Sequence, residues 1–95
     1  MSDRIKQVVM PKWGLSMKEG KVTKWLVKLG DKVSVGDELL EVETEKIASA
    51  VEAGDAGIIR RIIGEVDTVY PVKTLLAILA DADVPDSEID AFLST

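Results

Sequence analysis

Sliding the 95-residue chain past itself by 36 positions sets Asp31 on Asp67, Val33 on Val69, Leu39 on Leu75 and Leu40 on Leu76. The same shift sets Val22 on Ile58, Leu26 on Ile62, Val27 on Ile63 and Val42 on Ile78, all conservative pairs. Repetition at apolar positions implies two similar four-stranded halves facing each other across one core. The repeated segments alternate apolar and polar residues with period two, the pattern of half-buried strands. Gly30-Asp31 and Gly36-Asp37 mark turns in the first half. Val66 and Val72 stand at the matching places of the second, so those loops must turn without glycine.

Gln7–Met10 reads as a first strand, stopped by Pro11, which also biases Met10 towards an extended backbone. Further strands are expected at Lys21–Val27, Lys32–Val35, on both sides of a hairpin within Leu39–Val51, at the β-branched run Ile58–Ile63 and at Thr74–Leu79, with a turn and short strand over Gly64–Val72 that has Pro71 near its end. The inward face is expected to be Val22, Leu26, Val33, Leu40, Val42 and Val51, with Ile58, Ile62, Val69, Leu76 and Ile78 from the second half. Met1–Lys6 is read as a flexible end. Residues 81–95 form an acidic tail, either a short helix or the start of a linker. There Asp86 is placed to cap a helix, with Ile89, Phe92 and Leu93 on one side.

Composition removes whole classes of function. The chain has no cysteine and no histidine. Thiol catalysis, disulfides, most zinc sites and the usual general base near neutral pH are therefore absent. If the chain joins a redox or acyl-transfer reaction, a covalent cofactor must bring the reactive atoms. The net charge of −5 disfavours nucleic acid, which needs clustered basic residues. No apolar run approaches the ~20 residues of a membrane span, and the N-terminus lacks a signal-peptide pattern. A cytoplasmic location is the default expectation.

The hairpin centre is Glu43-Thr44-Glu45-Lys46. Leu40, Val42 and Thr44 share one face of the extended chain, and Leu39, Glu41 and Glu43 the other. No Asn-Gly or Asp-Gly marks a turn with positive φ, and a type I turn would accept Glu45-Lys46 at its centre. Lys46 then stands exposed at the tip. It is the one lysine between Asp37 and Asp55, a stretch with seven carboxylates. A turn lysine is ordinarily a solubilising residue. A solitary amine in an acidic collar is also easy for another protein to select by charge. After the first strand, the loop Lys12–Gly20 carries Trp13, Leu15 and Met17, which either pack back on the sheets or form a contact surface.

The segment E-T-E-K-I resembles the E-[ST]-[DE]-K-[AVI] motif of lipoyl domains. M-P-K-W-G-L-S-M-K-E-G and the G-D-K-V-S-V-G-D turn set add to the resemblance, which covers about Gln7 to Leu79. It implies an all-β fold, the flattened barrel-sandwich hybrid of two four-stranded antiparallel sheets with quasi-two-fold symmetry, over residues 7–80. It implies that Lys46 carries lipoate in amide linkage, with Glu43 and Glu45 read by a lipoate ligase or lipoyl transferase. It further implies a role in a 2-oxo-acid-dehydrogenase-type acyltransferase component, nearest the acetoin dehydrogenase branch. In such a role an acyl group, acetyl in the acetoin branch, passes from a thiamine-diphosphate enzyme through the lipoyl group to coenzyme A at an acyltransferase domain. A dihydrolipoyl dehydrogenase then reoxidises the carrier. The chain itself would be non-catalytic, and Leu15, Met17 and Trp13 would dock the thiamine enzyme, the first two foremost. Biotinyl domains share the architecture but usually flank their lysine with methionines, where this chain has Glu45 and Ile47. A biotin carrier, a glycine-cleavage carrier and an unmodified structural barrel are the rival readings.

Overall fold

The computed structural model describes residues 5–94. Its elements are β1 (Ile5–Val9), β2 (Glu19–Trp25), β3 (Lys32–Val33), β4 (Glu38–Glu43), β5 (Ala48–Glu52), β6 (Gly57–Ile62), β7 (Thr68–Pro71), β8 (Leu75–Ala80) and α1 (Asp86–Leu93). They form two four-stranded antiparallel sheets, β5-β4-β2-β7 and β1-β8-β6-β3, which is the expected all-β sandwich. The short strand of each half crosses over: β3 pairs with β6 and β7 with β2. Each sheet therefore needs a strand from the other half. β1 begins at Ile5, two residues before the expected start, because Ile5 is buried and pairs with Ala80.

The repeat is present, but its step is 37 residues rather than 36. Val22 faces Val42 across β2 and β4, as Ile59 faces Leu79 across β6 and β8. The Leu26 N–H donates to the Leu39 carbonyl at 2.8 Å, and the Ile63 N–H to that of Leu76 at 2.8 Å. A slip of one residue exchanges the two faces of a strand, and the core shows it. Val22, Val33, Leu40, Val42, Val51 and Leu76 are buried in the sandwich as expected. Ile59 and Leu79 take the inward places expected of Ile58 and Ile78. Leu26 and Val69 are 36% and 49% exposed, while Ile58 is half-buried and Ile62 leans on the core. Ile78 is buried on the opposite face of β8, beneath α1.

The same step resolves the loops. Gly30 and Gly36 have φ of 91°, and the left-handed positions of the second half are Asp67 (65°) and Lys73 (74°), not Val66 and Val72. Gly30 N–H donates to Ile59 O at 2.8 Å, and Asp67 N–H to Val22 O at 2.7 Å. The second half accepts left-handed backbone at side-chain-bearing residues, a conformation that Asp tolerates better than Lys.

The tail folds onto the sheet as a helix. Pro85 holds the cap position of α1 and no side chain caps it, so Asp86 is not the expected cap. Its carboxylate instead accepts from Arg60 Nη2 at 2.9 Å. Arg61 Nη2 donates to Asp90 at 2.9 Å, and Arg60 also reaches the carbonyls of Asp81 and Val84 at 2.6 and 2.7 Å. Ile89 is buried with Ile5, Ile78, Ala80 and Val84, flanked by Phe92 and Leu93. Eight residues are too few for a stable isolated helix, so this packing holds it. Among the described residues no helix is long and apolar enough to cross a membrane.

Candidate functional site

Lys46 sits on the turn between β4 and β5. Pairing continues outward from Val42–Ser49 to Glu43–Ala48, and the Thr44 N–H donates to the Ile47 carbonyl at 2.8 Å. Glu45 and Lys46 are then the two residues at the tip. Neither has positive φ, which explains how the turn forms without glycine. The expected i to i+3 backbone bond of a type I turn is replaced. Ile47 N–H donates to Thr44 Oγ1 at 3.2 Å, and Lys46 N–H to the same oxygen at 3.4 Å. The hydroxyl donates in turn to the Ile47 carbonyl at 3.2 Å. Thr44 belongs to the hairpin centre and to the inward face of its strand in the sequence, which assigns its hydroxyl no role. The available signal was a small hydroxyl two residues before the tip lysine in a turn lacking glycine.

Glu43, Glu45, Lys46 and Ile47 are exposed, and Thr44 is half-buried. Lys46 has no ion pair among the described residues, so its ammonium is held only by its stem. Glu43 lies at the end of β4, opposite Lys21 on one side and Ala48 on the other. The turn thus brings Lys46, Glu43 and Glu45 close together, all three exposed among the described residues.

The loop after β1 lies next to this turn. A cleft of about 820 Å³ runs between them, lined by Trp13, Met17, Glu43, Lys46, Ile47 and Val69 among others. The three apolar loop residues are not equivalent. Met17 leans on the core, and its Sδ accepts the Trp13 N–H at 3.2 Å. Trp13 is also half-buried against the core. Leu15 is 97% exposed. The sequence reading grouped Leu15 with Met17 as the foremost contact residues. The structure separates them, because Met17 turns inward towards Gly20 and Met10.

This turn lies at one end of the molecule. Met10, beyond the far end of β1 from Ile5, packs with Val42 against Gly20, where an added Cβ would come within 2.9 Å of Met10 Sδ and 2.7 Å of Val42 Cγ1. The Ile5–Ala80 pair and α1 therefore lie at the opposite end from Lys46.

The chain is 53% identical over 94 residues to the dihydrolipoyllysine-residue acetyltransferase component of the acetoin cleaving system of Cupriavidus necator, covering 99% of this chain and 25% of that protein. It is 49% identical to the component of the same name from Pseudomonas putida, covering 93% and 24%. A pyruvate dehydrogenase complex acetyltransferase component of Rickettsia typhi is 37% identical, covering 93% and 22%. The chain thus spans about a quarter of the length of these relatives. Its fold resembles part of a single-chain, multi-domain long-chain acyl-CoA carboxylase, with a TM-score of 0.68, 16% identity, and coverage of 99% of this chain and 8% of that one. The family profile Biotin_lipoyl, described as Biotin-requiring enzyme, matches residues 6–79, and the chain belongs to that biotinyl/lipoyl-attachment family.

Proposed function

We propose that this chain is a lipoyl carrier domain whose attachment point is Lys46. The observation that carries the reading is the exposed amine, without an ion pair among the described residues, at the tip of a two-residue turn flanked by Glu43 and Glu45. The neutral Nζ attacks the carbonyl carbon of an activated lipoyl donor. The C–N bond forms, the leaving group departs, and the nitrogen gives up a proton. The charge of Lys46 disappears, so the net charge of −5 becomes more negative by one. Glu43 and Glu45 identify this lysine to the modifying ligase or transferase by charge and spacing.

When attached, lipoate supplies a reducible disulfide that takes an acyl group from a thiamine-diphosphate enzyme and yields it to coenzyme A at an acyltransferase domain, with reoxidation by dihydrolipoyl dehydrogenase. The protein's own part is presentation. It holds the attachment point clear of the sheets and tethers it, which raises the effective concentration at each successive enzyme. The acetoin-system names of the 53% and 49% identical relatives support acetyl as the acyl group and an acetoin-cleaving complex as the setting. The carrier unit is taken as residues 7–80, with 81–94 as an appended helical segment. Leu15 is the contact residue offered to the thiamine enzyme, with Trp13 and Met17 bracing its loop.

Intact mass after treatment with lipoate and an ATP-dependent lipoate ligase tests this reading. One lipoyl group is expected, mapped to Lys46 and absent from Lys46→Arg. Lipoate on another lysine overturns the assignment. Biotin taken up in place of lipoate, visible on an avidin blot, transfers the chain to the biotin carriers.

A further inference from the structure

We propose that Thr44 is a positioning residue for modification of Lys46, its hydroxyl standing in for the backbone acceptor that the turn lacks. The proposal rests on the reading of Lys46 as the acylated lysine. One oxygen makes three contacts around the tip: it accepts from Lys46 N–H at 3.4 Å and Ile47 N–H at 3.2 Å, and donates to Ile47 O at 3.2 Å. That uses the full capacity of a hydroxyl, one donor and two acceptors.

The turn has little else to define it. Its residues are E-K, without the glycine or asparagine that fixes a tight turn through positive φ. Glu45, Lys46 and Ile47 are exposed, so packing does not hold them. Among the described residues the other bond across the turn is Thr44 N–H to Ile47 O at 2.8 Å, which closes the ladder but does not engage the peptides on either side of Lys46. Thr44 itself is anchored. It is half-buried, two residues beyond the fully buried Val42 on the inward face of β4. The hydroxyl therefore transmits the rigidity of the sheet to the backbone of the lysine. An enzyme that reads Glu43 and Glu45 and acylates Lys46 needs those three side chains in one fixed relation. A 1 Å displacement at a reacting centre is enough to cost a large factor in rate. The lysine's intrinsic nucleophilicity does not depend on this, because its amine is exposed in either case.

The test compares Thr44→Val, which keeps the shape and removes the hydroxyl, with Thr44→Ser, which keeps the hydroxyl. Three rates are read on each: amide exchange at Lys46 and Ile47 by NMR, lipoylation by an ATP-dependent lipoate ligase, and acylation of Lys46 by a small activated ester. In Thr44→Val, amide exchange should accelerate and ligase kcat/KM should fall, each by roughly three- to tenfold, the scale of one net hydrogen bond. Both should stay near the parent values in Thr44→Ser. The small ester should acylate Lys46 equally in all three proteins. Unchanged exchange or unchanged ligase kinetics in Thr44→Val overturns the proposal. So does a parallel fall in ester acylation, which would place the effect on the amine rather than on its presentation. If the parent chain takes no lipoate from the ligase, the functional reading fails and the positioning role fails with it, even where the exchange rates show the hydroxyl ordering the turn.

Discussion

Strands β4 and β8 hold the same place in their sheets, each between an edge strand and the long strand of its half. Their outer faces differ. On β4 the outward residues include Glu41 and Glu43, both exposed to solvent. Thirty-seven positions on, β8 has Ile78 and Ala80, buried under α1. The neighbouring strands follow suit. Ala48, paired with Glu43, is exposed, whereas Ile5, paired with Ala80, is buried. Lys24 of β2 corresponds to Arg61 of β6, which ties down Asp90 of the helix. A few side chains thus decide that one sheet takes a helix and the other stays bare. The bare sheet carries the turn with Lys46, where a partner can reach it. The covered sheet gains a second small core far from that turn.

The largest expected effects test whether the two halves are equivalent at all. Leu39 and Leu76 are both fully buried and related by the 37-residue step. Leu39→Ala and Leu76→Ala should each cost ~2–5 kcal/mol, the range for truncating a buried leucine. Leu75, the partner that a 36-residue step would give Leu39, is only half-buried. Leu75→Ala should cost clearly less than either. Urea unfolding of the three variants checks this, and a Leu75→Ala as damaging as Leu76→Ala would restore the shorter repeat.

That register was the part of the fold least visible in the sequence. The identities Leu39–Leu75 and Leu40–Leu76 reward a 36-residue shift, because two adjacent leucines match in either of two registers. Backbone pairing settles the choice, and pairing leaves no trace in residue type. The left-handed turns were hidden for the same reason: Asp67 and Lys73 adopt positive φ without being glycine. The existence of the strands was legible from period-two alternation, and so was the hairpin carrying Lys46. The helix was legible from Ile89, Phe92 and Leu93, but its clamp was not. Arg60 and Arg61 lie in a strand some 25 residues earlier, and only folding brings them to Asp86. At the tip, the acidic setting of Lys46 was visible from charge, and the roles expected of Glu43, Glu45 and Lys46 came from the resemblance of E-T-E-K-I, whereas the bonds of the Thr44 hydroxyl are visible only in the folded turn.

A smaller effect separates the two ends. Ile89 is fully buried under the helix, and Ile47, beside Lys46, is 46% exposed. Ile89→Ala should cost about 1–3 kcal/mol, below the usual core range because α1 can undock instead of keeping a cavity. Ile47→Ala should stay within ~0.5 kcal/mol, as surface changes do. Thermal unfolding measures both, and lipoylation kinetics supply the cross-check. The helix variant should be modified at the parent rate, since its lesion is at the far end. Slowed lipoylation in Ile89→Ala would mean that the covered end and the displayed turn are coupled, and the division between them would have to be given up.

The smallest effect concerns the charge clamp on α1. The hydrogen bond from Arg60, with the charge of Arg61 beside it, holds the Asp86 carboxyl below its ordinary value of 3.8. A carboxyl lowered by folding contributes stability that is complete above its ordinary value and is lost as pH falls through the lowered one. Comparing the parent with Asp86→Asn isolates that contribution, because every other carboxylate titrates in both proteins. At neutral pH the variant should melt slightly lower. The gap should close in acid below the lowered value. The Asp86 side chain is 71% exposed, so water and salt screen the pair, and the gap should also shrink as salt is added. A gap that persists in acid or ignores salt would show that Asp86 acts through helix packing rather than charge. In that case the charge of Asp86 would not help assign the helix to this sheet, and the choice would fall to the packing of Ile5, Ile78 and Ile89 and to the remaining bonds of Arg60 and Arg61 to Asp81, Val84 and Asp90.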